Sequence, residues 1–577
     1  MRYAAPLADM RFVLQTVIGF DRIRALPGCG DFDEDAAMAV LAGAGDLCSG
    51  VLAPLNPTGD AEGCTFEQGR VRTPAGFPDA YRLFRDGGWT GLAADAADGG
   101  HALPRCLDAP ITEMICGANL SFGIIPGLSA GAYRTIKAHA EPRLAAATLP
   151  HLASGAWSGT MCLSEPHCGS DLGLVRTRAA PAADGGWRVS GSKIFVSGGQ
   201  HDLTDNILHL VLARAPGGPA GSGGLSLLLV PRICFDGTAN SVACTGIEDK
   251  MGLHASPTCT LAFEAAQGWL VGELHHGMRA MFSMMNDERL SVGLQGLGLA
   301  EAATQSAYAW AGSRLQGRAA KGARRPDLPA DPIIVHADIR RMLLTMRAYT
   351  EGMRAMAAWI AWHADLRDRT ADAAARDLVD LMTPVVKALF TDLGFEVVNF
   401  GLQVMGGHGY IRGNGMEQMV RDARIGQIYE GTNGIQALDL VGRKIPAHCG
   451  RLARRFFHPL QQAIDAMAAE PAMAAFAPPL AQALARLQRA TAFIARAGEA
   501  DADAAAAAAC DYLHLMGLVA MGWLWARMVA GAMADGVDID FRAAKIAAAR
   551  VFFTRILPRT SGLTETILGG AIAESAI

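Results

Sequence analysis

Apolar positions recur at helical spacing over most of the chain, and the exceptions fall in one central block. Asp33 to Val51 and Ile111 to Ala130 place apolar side chains about every 3.6 residues, so residues 1–155 read as mainly helical, divided by turns containing Pro and Gly. From about Gly159 the period changes. Thr160 to Leu163, Leu174 to Ala180, Trp187 to Val196, Ile207 to Ala213, Leu225 to Pro231 and Thr258 to Phe263 are short β-favouring runs separated by Gly, Pro, Asp and Ser. Hairpin-type turns without crossover helices predict a compact antiparallel barrel or sandwich. Near Leu274 helical spacing returns, over Met278 to Arg314, Ile333 to Asp365 and Asp377 to Val404. After Lys444 comes an Ala-rich tail with a low-complexity run from Ala504 to Ala509. Ala favours helix and permits close packing, so the tail reads as a separate helical bundle, with Trp523 and Trp525 in its core or at an interface. The expected class is a multidomain α+β protein. Its parts are residues 1–158, helical with an extension; 159–274, a β-barrel; 275–444, a helical bundle; and 445–577, an additional helical domain.

Composition changes this picture little. A chain of 577 residues exceeds what one core normally serves, and 51% hydrophobic with 19% charged residues is a folding, not a disordered, composition. A net charge of −5 argues against a protein held to nucleic acid by phosphate contacts. The twelve cysteines form no CxxC pair and no Cys/His spacing of metal-site type, so buried thiols in a reducing compartment and no metal are expected. The N-terminus carries Arg2, Asp9 and Arg11 and lacks the apolar core of a signal peptide. No uncharged apolar run reaches membrane-spanning length, since the best, Gly517 to Ala534, contains Arg527. A cytoplasmic protein with no membrane insertion is expected.

Four stretches carry candidate chemistry. In RDARIGQIYEGTNGI, residues 421–435, Glu430 stands between a bulky apolar run (Ile425, Ile428, Tyr429) and a break (Gly431 to Gly434). A helix giving way to a loop beside a cavity would partly desolvate that carboxylate and suit it as a base; the alternative is a solvated loop Glu. In MCLSEPHCGSDLG, Met161 to Gly173, a strand end releases backbone N–H groups beside the hydroxyls of Ser164 and Ser170, a surface for an anion or a heterocycle edge, or else an ordinary turn. In GSKIFVSGGQ, Phe195 and Ser197 share one strand face, one able to stack on a flat ring and the other to bond its edge, or else they are a barrel-core Phe and a surface Ser. In QVMGGHGYIRG, Gln403 to Gly413, glycines after a long helix permit close backbone approach, but helix-then-loop is not a Rossmann order. Gly293, Gly296 and Gly298 lie in a helical pattern and serve packing. The loop Gln316 to Pro332, with Arg318, Lys321, Arg324 and Arg325, is either solvated or meets a phosphate. No P-loop, GxSxG elbow or HExxH is present.

Taken in this order on a helix–barrel–helix plan, the four stretches resemble the acyl-CoA dehydrogenase family over roughly residues 40–445. The N-terminal YAAPLADMRFVL, the long GGHGYIRGNGMEQMVRDARIGQIYEGTNGIQALDL and the added tail look most like the 3-methylmercaptopropionyl-CoA dehydrogenase branch. The resemblance implies an N-terminal helical domain, a middle β-barrel, a C-terminal four-helix bundle and FAD in the cleft between the last two. Cys162 and Ser164 would lie at the flavin edge, Ser170 near the pyrophosphate and the substrate, and Phe195 would flank the ring while Ser197 bonds its edge. A tryptophan often holds the place of Phe195, and threonines those of Ser164 and Ser197. Gln403, Gly406, Gly407 and Arg314 would meet the adenosine half of FAD in a neighbouring subunit, which implies a homo-oligomer, at least a dimer. Thr432 would approach the flavin of its own subunit, and Thr432-Asn433-Gly434 replaces the Thr-Ser-Gln of many members.

By the same resemblance, Glu430 removes the α-proton of an acyl-CoA while the β-hydrogen leaves as hydride to flavin N5, forming a 2,3-double bond. Glu288 matches the base position of other branches and is its rival. Arg289 would face CoA, with Asn286 replacing an acidic residue, and Gly431 would border the substrate. An electron-transfer flavoprotein is the implied acceptor. The expected substrate is 3-methylmercaptopropionyl-CoA or a similar short-chain acyl-CoA. The alternatives are a medium- or long-chain enzyme, or a DNA-binding flavoprotein of the same fold using Lys545, Arg550, Arg555 and Arg559.

Overall fold

The computed structural model describes residues 3–500 and 502–570; Arg2 and the last residues of the tail, 571–577, lie outside them. By contact the chain divides into two compact units, Met1–Gly45 with Pro104–Gly117 and Val292–Ile577, and Asp46–Leu103 with Ala118–Ser291. The helix Arg105–His139 runs through both and is broken at Asn119, which leaves helical geometry at φ −160° and ψ 91°. Its side chain accepts from the Phe122 amide at 3.1 Å, so a new helix starts there on an asparagine cap.

The second unit holds a two-stranded hairpin, β1 Thr65–Glu67 and β2 Arg70–Arg72, and the barrel. The barrel strands are β3 Trp157–Cys162, β4 Arg178–Pro181, β5 Trp187–Ser197, β6 Asn206–Arg214, β7 Leu225–Pro231, β8 Val242–Ile247 and β9 Thr258–Val271. Pairings run β3-β6-β4-β5-β9-β7, and β7 also pairs β6, so the ring closes and edge exposure is reduced. The expected all-antiparallel pattern is corrected in two places, because β6 pairs in parallel with β3 and with β4. The run Leu174 to Ala180 shrinks to β4, since Asp171 caps a turn at Leu172–Leu174 by accepting from the Gly173 amide. The unforeseen β8 is half-exposed along its length and lacks the apolar run that marks β6 and β7, which are buried almost throughout. Val189, Val196, Val211, Leu228, Val230, Leu261 and Phe263 fill the interior.

In the first unit the long helices follow the periodicity: Gly277–Ser313, whose later half belongs here, Ala337–Thr370 and Ala373–Met405. The glycines read as packing residues act as such. A Cβ on Gly296 would stand 2.5 Å from the Phe390 carbonyl oxygen, and one on Gly298 would stand 2.6 Å from that of Glu113.

The tail does not stand apart. Its Ala509–Ala532 helix buries Trp525 completely, with the indole N–H donating to the Ala348 carbonyl at 3.1 Å, while Trp523 packs edge-on to Trp359 at 5.5 Å. The loop Gln316 to Pro332 folds round the Asp331 carboxylate, which accepts from the amides of Ala319, Arg324 and Arg325. Ten cysteines are buried or half-buried, but Cys449 and Cys510 are exposed. Three helical stretches, 34–62, 105–139 and 509–532, are long and apolar enough to cross a membrane by length and composition, with 33%, 67% and 78% of the apolar window buried inside the protein. Counting only uncharged runs missed them, because a window rich in Ala, Gly and Leu tolerates an isolated charge such as Arg527.

The most concentrated polar feature of this unit is a buried charge cluster. The Arg354 guanidinium donates to Glu113, Glu301 and Asp9. The Lys545 ammonium, from the tail helix Ile539–Val551, donates to Asp9 and, at 2.7 Å, to Glu351, which also pairs with Arg347. Burial opposes ionisation of Asp9, but Lys545 and Arg354 outweigh it and hold its carboxyl at about 2. Glu113 is less favoured: burial pushes it up to about 7 despite Arg354, with Glu301 and Asp9 adding repulsion. Lys545, counted toward a DNA-binding surface, is thus a core residue, and Arg559 is engaged by Tyr349 and Glu396.

Two outcomes follow from the cluster. Between pH 4.5, the ordinary glutamate value, and about 7 the native state keeps a proton on Glu113 that the unfolded chain has released, so this group's contribution to stability falls as pH rises through that window. Denaturant unfolding of Glu113→Gln across that window should show a flatter pH dependence than wild type; an identical slope overturns the assignment. Arg354→Met takes the cation from Glu113 and one of the partners from Asp9 and Glu301, and should cost about 3–5 kcal/mol in the same measurement.

Candidate active site

Glu430 sits where the sequence places it, at the end of a helical run. The helix Met416–Arg424 tightens into a 3₁₀ turn at Ile425–Gln427, the chain breaks, and a short helix, Asn433–Asp439, begins. Within the break Glu430 adopts φ +56° and Gly431 φ +83°. A left-handed conformation at a residue with a Cβ costs about 1–2 kcal/mol and persists only where its surroundings hold it.

Three side chains do so. The Gln436 amide, wholly buried, donates to the carbonyls of Glu430 and Gly431 at 3.2 and 3.3 Å. Lys387, wholly buried on the Ala373–Met405 helix, donates to the Gly431 carbonyl at 2.8 Å and to Asn433 Oδ1 at 2.9 Å. Asn433 in turn donates through Nδ2 to Asp392 Oδ1 at 2.8 Å. Beside them the Tyr429 hydroxyl bonds Gln295. The Glu430 side chain itself is half-buried. Thr432, expected near a flavin, caps the following helix by accepting from the Ile435 amide at 3.3 Å. Sequence reasoning missed Lys387, Asp392 and Gln436, although a lysine in the apolar run PVVKALF was a legible signal.

In the same unit Gln403, Gly406 and Gly407 are exposed at the end of the Ala373–Met405 helix. Gly406 has φ 59° and ψ −142°, and a Cβ on Gly406 or Gly407 would meet nothing within 4 Å. Arg314 is exposed just past the end of its helix, and that end lies beside the glycine turn, because Trp310 and His408 pack ring to ring at 5.1 Å.

In the barrel unit the loop 164–173 is organised by Glu165. Its carboxylate accepts from the amides of Arg176 and Thr177, the Thr177 hydroxyl and, at 2.9 Å, the fully buried Lys193 ammonium. Burial works against its ionisation, but those donors hold it at about 2. Among the described residues Glu165, His167 and Cys168 bring ligand-type atoms within 4.8 Å of one another, a grouping the cysteine spacing did not reveal. Both carboxylate oxygens of Glu165 are already engaged by protein donors.

Ser164 is half-buried and Ser170 exposed. The Cys162 thiol faces the barrel core, fully buried beside Thr160, and burial pushes it up to about 12, so it is the backbone of Cys162 that borders the loop. Phe195 is 61% exposed at φ +57°, on a bulge of β5 against β9, with Ser197 half-buried on the same strand. Glu288 and Arg289 are both buried. Glu288 lies against Gly131, where a Cβ would stand 2.5 Å from its Oε1, and Arg289 donates to Asn286 at 3.2 Å.

The chain is similar to known proteins along most of its length. Residues 160–266 match the acyl-CoA dehydrogenase middle domain, 275–445 its C-terminal domain, and 456–574 an acetyl-CoA dehydrogenase C-terminal-like domain. The 3-methylmercaptopropionyl-CoA dehydrogenase of Ruegeria pomeroyi is 40% identical over 97% of this chain and 97% of its own length. The broad-specificity linear acyl-CoA dehydrogenase FadE5 of Mycobacterium tuberculosis is 33% identical over 98% and 97%. Two solved structures share the fold. Caenorhabditis elegans ACDH-11 in complex with C11-CoA superposes with a TM-score of 0.81 at 18% identity, covering 96% of this chain and 92% of that one. An acyl-CoA dehydrogenase complexed with FAD from Bacillus anthracis gives 0.74 at 20% identity, covering 97% and 93%. With near-full-length relatives at this identity and three consecutive domain matches, the chain belongs to the acyl-CoA dehydrogenase family.

Proposed function

We propose that this enzyme, an oxidoreductase acting on acyl-CoA, desaturates a short-chain acyl-CoA of the 3-methylmercaptopropionyl type between C2 and C3, with Glu430 as the base. The observation that carries the base assignment is the left-handed Glu430–Gly431 turn, tied through its carbonyls to Gln436 and Lys387. Strain maintained by buried donors fixes the direction in which a carboxylate leaves the backbone, and an α-proton must be met in one orientation. Glu288, buried against Gly131, lies in the regular backbone of the Gly277–Ser313 helix.

The residues present fit FAD. Phe195 offers an uncovered aromatic face, Ser164 and Ser197 supply hydroxyls in the same unit, and the open Gly406–Gly407 turn beside Arg314 suits the adenosine half from a second copy of the chain. FAD, when bound, supplies the hydride-accepting ring. Glu430 takes the α-proton and later returns it to solvent, while Gly431, where a Cβ would stand 2.7 Å from Gln436 Nε2, lets that amide close on the turn and would border the substrate through its backbone. Arg289 is the group proposed for the CoA end. A homodimer at least, an electron-transfer flavoprotein as acceptor and a cytoplasmic setting without membrane insertion complete the reading. The name of the Ruegeria pomeroyi relative supports the sulfur-containing substrate, and that of the Mycobacterium tuberculosis relative supports a wider linear range.

Glu430→Gln should retain FAD yet slow flavin bleaching by acyl-CoA about 10³-fold or more, whereas Glu288→Gln bleaches at close to the wild-type rate. The opposite pattern in stopped-flow absorbance transfers the role to Glu288. In a dye-coupled panel, 3-methylmercaptopropionyl-CoA and butyryl-CoA should give the highest kcat/KM and palmitoyl-CoA the lowest; a maximum at long chains overturns the substrate class. Phe195→Gly relieves a strained backbone and should raise the apoprotein's stability by about 1 kcal/mol while FAD dissociates more readily. Melting of apoprotein and flavin release in dialysis measure the two effects separately.

A further inference from the structure

The Ala-rich tail has no part in the chemistry above, yet one of its side chains bonds a carboxylate that holds the loop carrying Glu430. His514, on the Ala509–Ala532 helix, bonds through Nε2 to Asp392 Oδ2 at 2.8 Å. The other oxygen of Asp392 accepts from Gln427 Nε2 at 2.7 Å and from Asn433 Nδ2 at 2.8 Å. Gln427 precedes Glu430 and Asn433 follows it, so a single carboxylate grips both flanks of the strained turn. Gln427 is further fixed by Arg424, and Asn433 by Lys387. Burial disfavours the Asp392 anion, but its bonds to His514, Gln427 and Asn433 outweigh that and keep its carboxyl below the ordinary range.

A carboxylate bonded through one oxygen can still swivel about its Cβ–Cγ bond, whereas one bonded through both is fixed in its plane. Asp392 and His514 remain 26% and 31% exposed, so without the imidazole Oδ2 would turn to water and the grip on Gln427 and Asn433 would loosen. We propose that His514 is a positioning residue: by fixing the Asp392 carboxylate it sets the spacing of Gln427 and Asn433, and through them the direction of the Glu430 side chain. The tail domain then contributes to catalysis, since without its helix the turn keeps Lys387 and Gln436 but loses this clamp. The inference rests on Glu430 as base, and the test separates the two claims.

Holoenzyme variants His514→Ala and His514→Gln are compared with wild type, each also in a Glu430→Gln background. Removing the imidazole should lower the flavin-bleaching rate about 10-fold with KM changed less than about 2-fold, because misplacement of a reacting group acts on the chemical step. It should also speed amide hydrogen exchange across residues 427–433 about 3-fold or more, with the global melting temperature kept. The glutamine variant, which can still donate to Asp392, should restore both readouts. In the Glu430→Gln background, His514→Ala should cause no further loss of rate.

The proposal is overturned if His514→Ala bleaches at the wild-type rate, if exchange across 427–433 is unchanged, or if glutamine is as damaging as alanine. If Glu430→Gln alone bleaches normally, the base assignment fails instead. The exchange data then judge the clamp by themselves: faster exchange in His514→Ala upholds it, and unchanged exchange overturns it.

Discussion

Arg354 and the carboxylates around it are the constraint on which the helical unit depends. One guanidinium joins Asp9 of the N-terminal segment, Glu113 at the start of a long central helix and Glu301 of the bundle, and Lys545 of the tail closes the same cluster through Asp9 and Glu351. Charges taken out of water are costly unless their geometry and hydrogen bonding are complete. Segments more than 500 residues apart in sequence therefore meet in one arrangement, since a shifted tail would leave a buried ammonium or carboxylate unpaired. The Ala-rich tail is accordingly part of the unit that carries Glu430.

The same rule operates on a smaller scale at both functional loops. A buried lysine anchors each: Lys193 holds the 164–173 loop through Glu165, and Lys387 holds the 430–433 turn through the Gly431 carbonyl and Asn433. In both loops irregular backbone is fixed by a charged side chain reaching in from regular structure, so the strain at Glu430 is balanced by rigid neighbours. The departure Asn433, at a place where many family members have serine, has a structural reason in this chain. Its amide accepts from Lys387 through Oδ1 and donates to Asp392 through Nδ2, so the two bonds use separate atoms of one planar group.

Much of this was legible before the fold was known. The bundle helices begin and end within a few residues of their apolar period, the strand runs of β5, β6 and β7 stand where β-branched and apolar residues alternate with turns, and the motif around Glu430 lies at a helix end. What failed did so for identifiable reasons. Parallel pairing of β6 with β3 and β4 leaves no trace in local periodicity, because the same strand pattern serves either direction. Strand alternation turned the Cys162 side chain inward, so any part it has at the loop falls to its backbone.

The sequence by itself determined which segments are helix and which are strand, where the glycine breaks fall, and which carboxylate ends a helix beside them, because these rest on contacts between near neighbours in the chain. Only the tertiary structure decided that Lys545 is a core residue, that Lys387, Asp392 and Gln436 hold the Glu430 turn, and that His514 joins them from the tail. Those assignments depend on which distant side chains share a dehydrated space. Polar residues scattered through apolar helices carry no local sign of the partner that will satisfy them.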